Sequence, residues 1–210
     1  MILAQLYSRF QIPPNLARHM AEVATVCRYV MDHWTGPEKI DQKLVIDAAL
    51  VHDLANIIKF KRPFKGDLET EGEYWQKVQS QVIAQYGQDV HQASIQMLAE
   101  AGLARLQPVL QDMFHIYTRD YDSDETPPAS ESRIVEYADD CVVPEGIVGF
   151  ETRMQDLYRR YNFSAQDDKA RRLIANKDWI QARVGVELGQ MPVVQLQKAV
   201  RDFSQHKIDS

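Results

Sequence analysis

Residues 44–58 read LVIDAALVHDLANII, an apolar run that carries a histidine and an aspartate side by side at positions 52 and 53. Burying a carboxylate beside an imidazole is expensive unless each finds a hydrogen-bond or ion partner. The pair His52-Asp53 therefore implies polar partners on whatever packs opposite it, and the surrounding run, apolar nearly all round, implies a helix covered on several sides. The spacing predicts one central helix from Lys43 to about Phe60.

Helical periodicity extends outward from this segment. Leu16, Met20, Val23, Val26, Cys27 and Val30 form one stripe, with Asn15 as the expected N-cap after Pro13-Pro14. KRPFKGDLETEGE breaks the pattern, so residues 61–73 read as a loop. Further helices are expected at 74–86, 88–101, 105–118 and 131–142, with the acidic, proline-bearing stretch RDYDSDETPPASES forming a surface loop before the last of these. FETRMQDLYRRY, DDKARRLIANKDWIQARV and PVVQLQKAVRDFSQH suggest three more. No alternating strands, repeat or low-complexity tract interrupts this order, so the expectation is an all-α single domain.

Composition narrows the function. The chain has 210 residues, 45% of them apolar, enough for a substantial core rather than a disordered chain. A formal charge of −6 argues against an extended nucleic-acid surface, although a local basic patch can still hold phosphates. The apolar stretch at the start of MILAQLYSRF is too short for a signal-peptide core before Arg9, and no later run approaches a membrane span. A soluble, cytoplasmic protein with a small-molecule partner is expected; a homo-oligomer stays open. Cys27 and Cys141 have apolar neighbours and read as reduced packing residues, with a disulfide the minority alternative.

Several metal-type side chains fall on apolar faces. His19 lies one turn from Leu16 and Val23, and His91 one turn from Ser94 and Ile95, so both are expected to face the core. In RIVEYADDCVV, Asp139 has Val135 and Val142 as helical neighbours while Asp140 has Glu136 and Pro144. Periodicity thus selects Asp139 as the inward residue. His115 has polar neighbours and is placed at a cavity rim. A single inward histidine is more often a satisfied core residue than a ligand, and an inward aspartate often caps a helix. Here His19, His52-Asp53, His91 and Asp139 come from separate helices into one core, and neutral imidazoles with anionic carboxylates are the mixture a divalent transition metal binds.

The order His19, His52-Asp53, Asp139 resembles the H…HD…D signature of the HD-domain superfamily, all-helical metal-dependent phosphohydrolases. AALVHDLANIIKF resembles the family's HD helix and IVEYADDCVVPEGIVGFETRM its YAD segment. His91, in DVHQASIQMLAEAGL, and His115 stand where a six-ligand subset carries two more histidines. The resemblance covers about residues 12–160, implying an HD domain over 1–160 and a helical extension over 161–210 packed on it. It implies that His19, His52, Asp53 and Asp139 hold one metal, and that Asp53 bridges to a second held by His91 and His115. Histidine-rich ligation suits iron, manganese, cobalt or zinc better than magnesium. The implied activity is hydrolysis of a phosphate ester of a nucleotide or other small phosphorylated metabolite, by hydroxide generated at the metals. The same ligands also serve a mixed-valent di-iron oxygenase in a few relatives, and relatives that have lost ligands act as regulatory modules.

One departure concerns catalysis. Many relatives carry Lys or Glu three residues after the HD aspartate, where this chain has Asn56, which can donate to a phosphate or orient water. Asp53 and Asn56 are therefore the catalytic candidates. Lys59, Lys61, Arg62 and Lys65, in KFKRPFK, are candidates for substrate binding, with a basic helix end favoured by the macrodipole as the alternative. Arg153 is a second anion-binding candidate. Trp34, Trp75 and Trp179 read as packing residues.

Overall fold

The computed structural model describes residues 1–116, 127–161, 164 and 167–209. Residues 117 and 118 of the helix expected at 105–118 and residues 119–126 of the acidic stretch lie outside the described residues. The fold is all-α. Its helices are α1 (Leu3–Arg9), α2 (Pro14–Asp32), α3 (Gln42–Ala49), α4 (Gly72–Tyr86), α5 (Val90–Glu100), α6 (Gln107–Ile116), α7 (Ser130–Asp139), α8 (Phe150–Tyr161), α9 (Asp168–Gln181) and α10 (Val193–Lys198). Between α7 and α8 a short antiparallel hairpin pairs β1 (Val142–Val143) with β2 (Gly146–Ile147), Val142 opposite Ile147. No helix among the described residues is long and apolar enough to cross a membrane.

The centre of the core is the trio α2, α3 and α7 rather than a single long helix. The stripe read from the sequence is buried along α2, where Met20, Val23, Val26, Cys27 and Val30 are wholly inaccessible. Each such aliphatic side chain contributes roughly 1.5–3 kcal/mol relative to exposure. Cys27 and Cys141 are both free and buried. Asn15 is not the N-cap of α2: Pro13 holds that position, which places Asn15 inside the first turn.

The helix expected over 43–60 ends at Ala49, and the chain then runs through turns into a 3₁₀ turn at Asn56–Lys59. The break is stabilised by side chains. The last carbonyls of a helix lack intrahelical donors; here the His52 ring reaches back 2.8 Å to the Ala49 carbonyl and the Tyr7 hydroxyl donates to the Leu50 carbonyl at 2.7 Å. The Ala55 amide, freed from helical pairing, lies 3.3 Å from Ser94 Oγ on α5. The HD pair thus sits on a tight turn, not mid-helix, and its side chains escape the helical phase.

The chain ends close on each other. Amides of Leu3 and Ala4, at the open N-terminus of α1, donate to the carbonyls of His206 and Ser204 at 2.9 and 3.0 Å. This explains why the helix expected over 192–206 stops at Lys198: the following residues serve as acceptors for another element. Gln197 of α10 accepts from the Ile147 amide at 2.7 Å and donates to buried Glu22 of α2 at 2.8 Å. It passes so near Gly146 (φ 131°) that a Cβ there would stand 2.4 Å from its side-chain oxygen. α9 packs on α7, and α10 against α2 and β2.

Candidate metal centre

Four side chains converge where α2, the turn after α3, and the end of α7 meet. His19 Nε2 lies 2.9 Å from Asp139 Oδ1 and 3.7 Å from Asp53 Oδ2. His52 Nε2 lies 3.5 Å from Asp139 Oδ1 and 3.9 Å from Asp53 Oδ2. His19, His52 and Asp53 form a group that could hold a metal ion, with one ligand atom of each within 4.8 Å of the others. Atoms sharing an ion at bonds of about 2.1 Å stand roughly 3–3.5 Å apart, close to the separations seen here.

The tautomer of His52 follows from its surroundings. A carbonyl can only accept, so the contact to Ala49 places the proton on Nδ1, leaving Nε2 as a lone pair aimed at the cluster. That nitrogen is buried and has no hydrogen-bond partner. A buried lone pair left unpaired is costly, and either a proton or a metal cation relieves it. Two imidazoles and the Asp53 carboxylate are donors that suit a divalent transition metal, and Asp139, outside that group, contacts both histidines. Asn56 supports the cluster from behind: its amide donates to Asp53 Oδ2 at 2.6 Å, the same oxygen that faces both histidines. Asn56→Ala is expected to weaken metal binding roughly 10–100-fold, as loss of an outer-shell partner does; calorimetric titration of the apoprotein with Mn²⁺ measures it.

Electrostatics reinforce the geometry. Burial opposes a charge on His52, but the Asp53 and Asp139 carboxylates outweigh it and lift the imidazole to about 9. Desolvation likewise opposes ionisation of Asp139, yet its contacts with His19 and His52 hold the carboxyl well below the usual range. Without a metal, the Nε2 lone pair of His52 is therefore taken up by a proton below about pH 9, and a metal must displace that proton. Affinity is expected to climb by up to roughly tenfold per pH unit towards that value and then level. Titrations in buffers of different ionisation enthalpy read the released proton. The raised value also stabilises the metal-free fold fully below about 6.5, and that contribution fades as pH rises through about 9.

The cluster lies in the wall of a cavity of about 750 Å³, the size of small-molecule sites, which run about 300–1,000 Å³. His91 and His115 line this cavity too, but neither belongs to the ligand group found among the described residues. The inward reading of His91 is corrected. Asp89 caps α5 by accepting from the His91 and Gln92 amides, which fixes the phase so that Val90, Ala93, Ser94, Met97 and Leu98 turn inward. His91 is exposed at the rim, its ring stacked on Phe114 at 4.0 Å. Desolvation and the nearby Lys59 charge push its imidazole below the usual value.

Asp140, read as outward, is 2% exposed and lines the cavity. α7 ends at Asp139, so helical phase no longer governs its neighbour. Burial and the Asp139 charge raise the Asp140 carboxyl to about 8. Of the basic run, Lys59 lines the cavity, whereas Lys61 and Lys65 are exposed outside it. Arg62 is turned onto α4, bonding Gln79 Oε1 at 2.6 Å and Ser80 Oγ at 2.9 Å. Arg62 therefore does not line the cavity in this structure: the buried Gln79 amide oxygen holds it on α4.

Arg153 lines the cavity, joined by three residues that were not among the site candidates read from the sequence: Asn15, Arg160 and Lys169. Arg160 was findable, since it lies two turns after Arg153 on one helical face. Asn15, with a buried side-chain oxygen lacking a hydrogen-bond partner, and Lys169 carry no such signal. The three tryptophans do not line the cavity. Searches against protein-family models, curated proteins and solved structures gave no match.

Proposed function

We propose that this chain is a metal-dependent phosphohydrolase of the HD-domain kind, cleaving a phosphate ester of a nucleotide or other small phosphorylated metabolite. The observation that carries this reading is the group His19, His52 and Asp53, with Asp139 beside it and with His52 Nε2 buried and without a hydrogen-bond partner, in the wall of a cavity with cationic side chains. A divalent cation held there supplies Lewis acidity, activating water and neutralising phosphoryl charge.

The chain's own residues supply the rest. The Ala49 carbonyl fixes the tautomer of His52, and the Asn56 amide fixes the rotamer of Asp53. Holding ligands this way spares reorganisation when the substrate arrives. Asn56 thereby acts as a positioning residue. Lys59, Arg153, Arg160 and Lys169 border the cavity and offer donors for anionic oxygens.

Protein purified without added metal should contain iron, manganese, cobalt or zinc and release inorganic phosphate from at least one member of a nucleotide and sugar-phosphate panel. A chelator should stop turnover. Oxygen uptake without phosphate release would replace this reading by the oxygenase one. Absence of both metal and turnover would leave a regulatory module.

A further inference from the structure

Arginines cluster on α8 around a single carboxylate. Asp156, 7% exposed, accepts from Arg153 Nη1 at 3.2 Å, Arg159 Nη2 at 3.2 Å and Arg160 Nε at 2.8 Å. Three guanidinium groups against one carboxylate leave an excess of positive charge. Arg153 and Arg160 line the cavity that holds the metal centre, while Arg159, 80% exposed, does not. Each guanidinium has five N–H donors, and each of the two engages Asp156 through one nitrogen. Nε of Arg153 is buried and has no hydrogen-bond partner. Asp156 thus orients two forks in a way that leaves donors for something else. Arginine forks match phosphate oxygens in pairs.

The metal ligands come from α2, the turn after α3 and α7; the arginines come from α8. A phosphoryl group at the metal cluster would occupy a small part of a cavity of about 750 Å³. We propose that Arg153 and Arg160, held by Asp156, form a second anion subsite, and that the substrate carries a phosphate there in addition to the one hydrolysed. This rests on the phosphohydrolase reading of the cavity, and it makes the substrate a bisphosphorylated molecule rather than a simple monophosphate.

Calorimetric titration of Mn²⁺-loaded protein with the 5′-monophosphates and the 3′,5′-bisphosphates of adenosine, guanosine, cytidine and uridine tests it. At least one bisphosphate should bind tenfold or more tighter than its monophosphate, the scale of charge-assisted hydrogen bonds gained. Arg153→Gln with Arg160→Gln should erase that preference, Arg159→Gln should keep it, and Arg160→Lys should keep part of it. Should melting show that the double variant does not fold, Arg160→Gln alone, at a 42% exposed side chain, must still reduce the preference. Equal affinity for both compounds of every pair, no binding of any bisphosphate, or a preference that survives the double variant overturns the subsite. Arginine-dependent bisphosphate binding without phosphate release would instead overturn the hydrolase reading and leave the subsite standing.

Discussion

Asp53→Ala is expected to bring the metal content of the purified protein to background and to abolish metal-dependent turnover, with the helical circular-dichroism signal unchanged. Asp53 Oδ2 lies 3.7 Å from His19 Nε2 and 3.9 Å from His52 Nε2, so its removal takes an anionic ligand from the centre of the group. Neither histidine can compensate, because the His52 ring is tethered to Ala49 and the His19 ring already faces Asp139. The loss should exceed the roughly 10–100-fold expected of an outer-shell change such as Asn56→Ala. Folding should survive. The Asp53 side chain is 21% exposed and faces the cavity, and the apolar contacts of Leu54, Ala55 and Ile57 remain buried around it. Elemental analysis of variant and parent, purified in parallel, decides the matter; full metal occupancy in the variant would refute this ligand assignment.

Asp47→Ala should lower stability by about 3 kcal/mol, the low end of the range of roughly 3–5 kcal/mol for breaking buried ion pairs. Asp47 is completely buried, and its carboxylate meets Lys43 Nζ at 2.7 Å, Arg105 Nη2 at 2.6 Å and His206 Nε2 at 2.7 Å. Lys43 also donates to the Lys207 carbonyl at 2.6 Å, so the network ties α3 to the C-terminal segment that caps α1. The low end applies because Lys43 and Arg105 are 40% and 30% exposed and can recover hydration once the carboxylate is gone. For a domain of this length each kcal/mol shifts the melting temperature by about 2–4 °C, so a fall of roughly 6–12 °C is expected. Lys43→Ala should cost less, since Asp47 keeps Arg105 and His206. Metal affinity should be unchanged in both, which separates this network from the candidate metal centre.

Asp47 also marks a boundary of what periodicity conveys. It stands in the same apolar run as His52 and Asp53 and equally demanded buried partners, yet those partners come from positions 43, 105 and 206, of which only the first is within helical reach. The sequence by itself determined the all-α class, the buried stripe of α2, the approximate helix order and the candidate group His19, His52 and Asp53, because each depends on apolar spacing along one element or on residue type. Tertiary structure alone decided the rest. It ended α3 at Ala49, where Tyr7 and the His52 ring satisfy carbonyls that a helix would have paired internally. It buried Asp140, exposed His91, and turned Arg62 onto Gln79. It also gathered Arg153, Arg160 and Lys169 at the cavity of the candidate metal centre. Helical phase describes direction only inside a helix, whereas each of these residues sits at or beyond a helix end, or is oriented by a partner distant in sequence. There the local chain leaves several orientations nearly equal in energy, and a hydrogen bond or ion pair supplied by another element selects one.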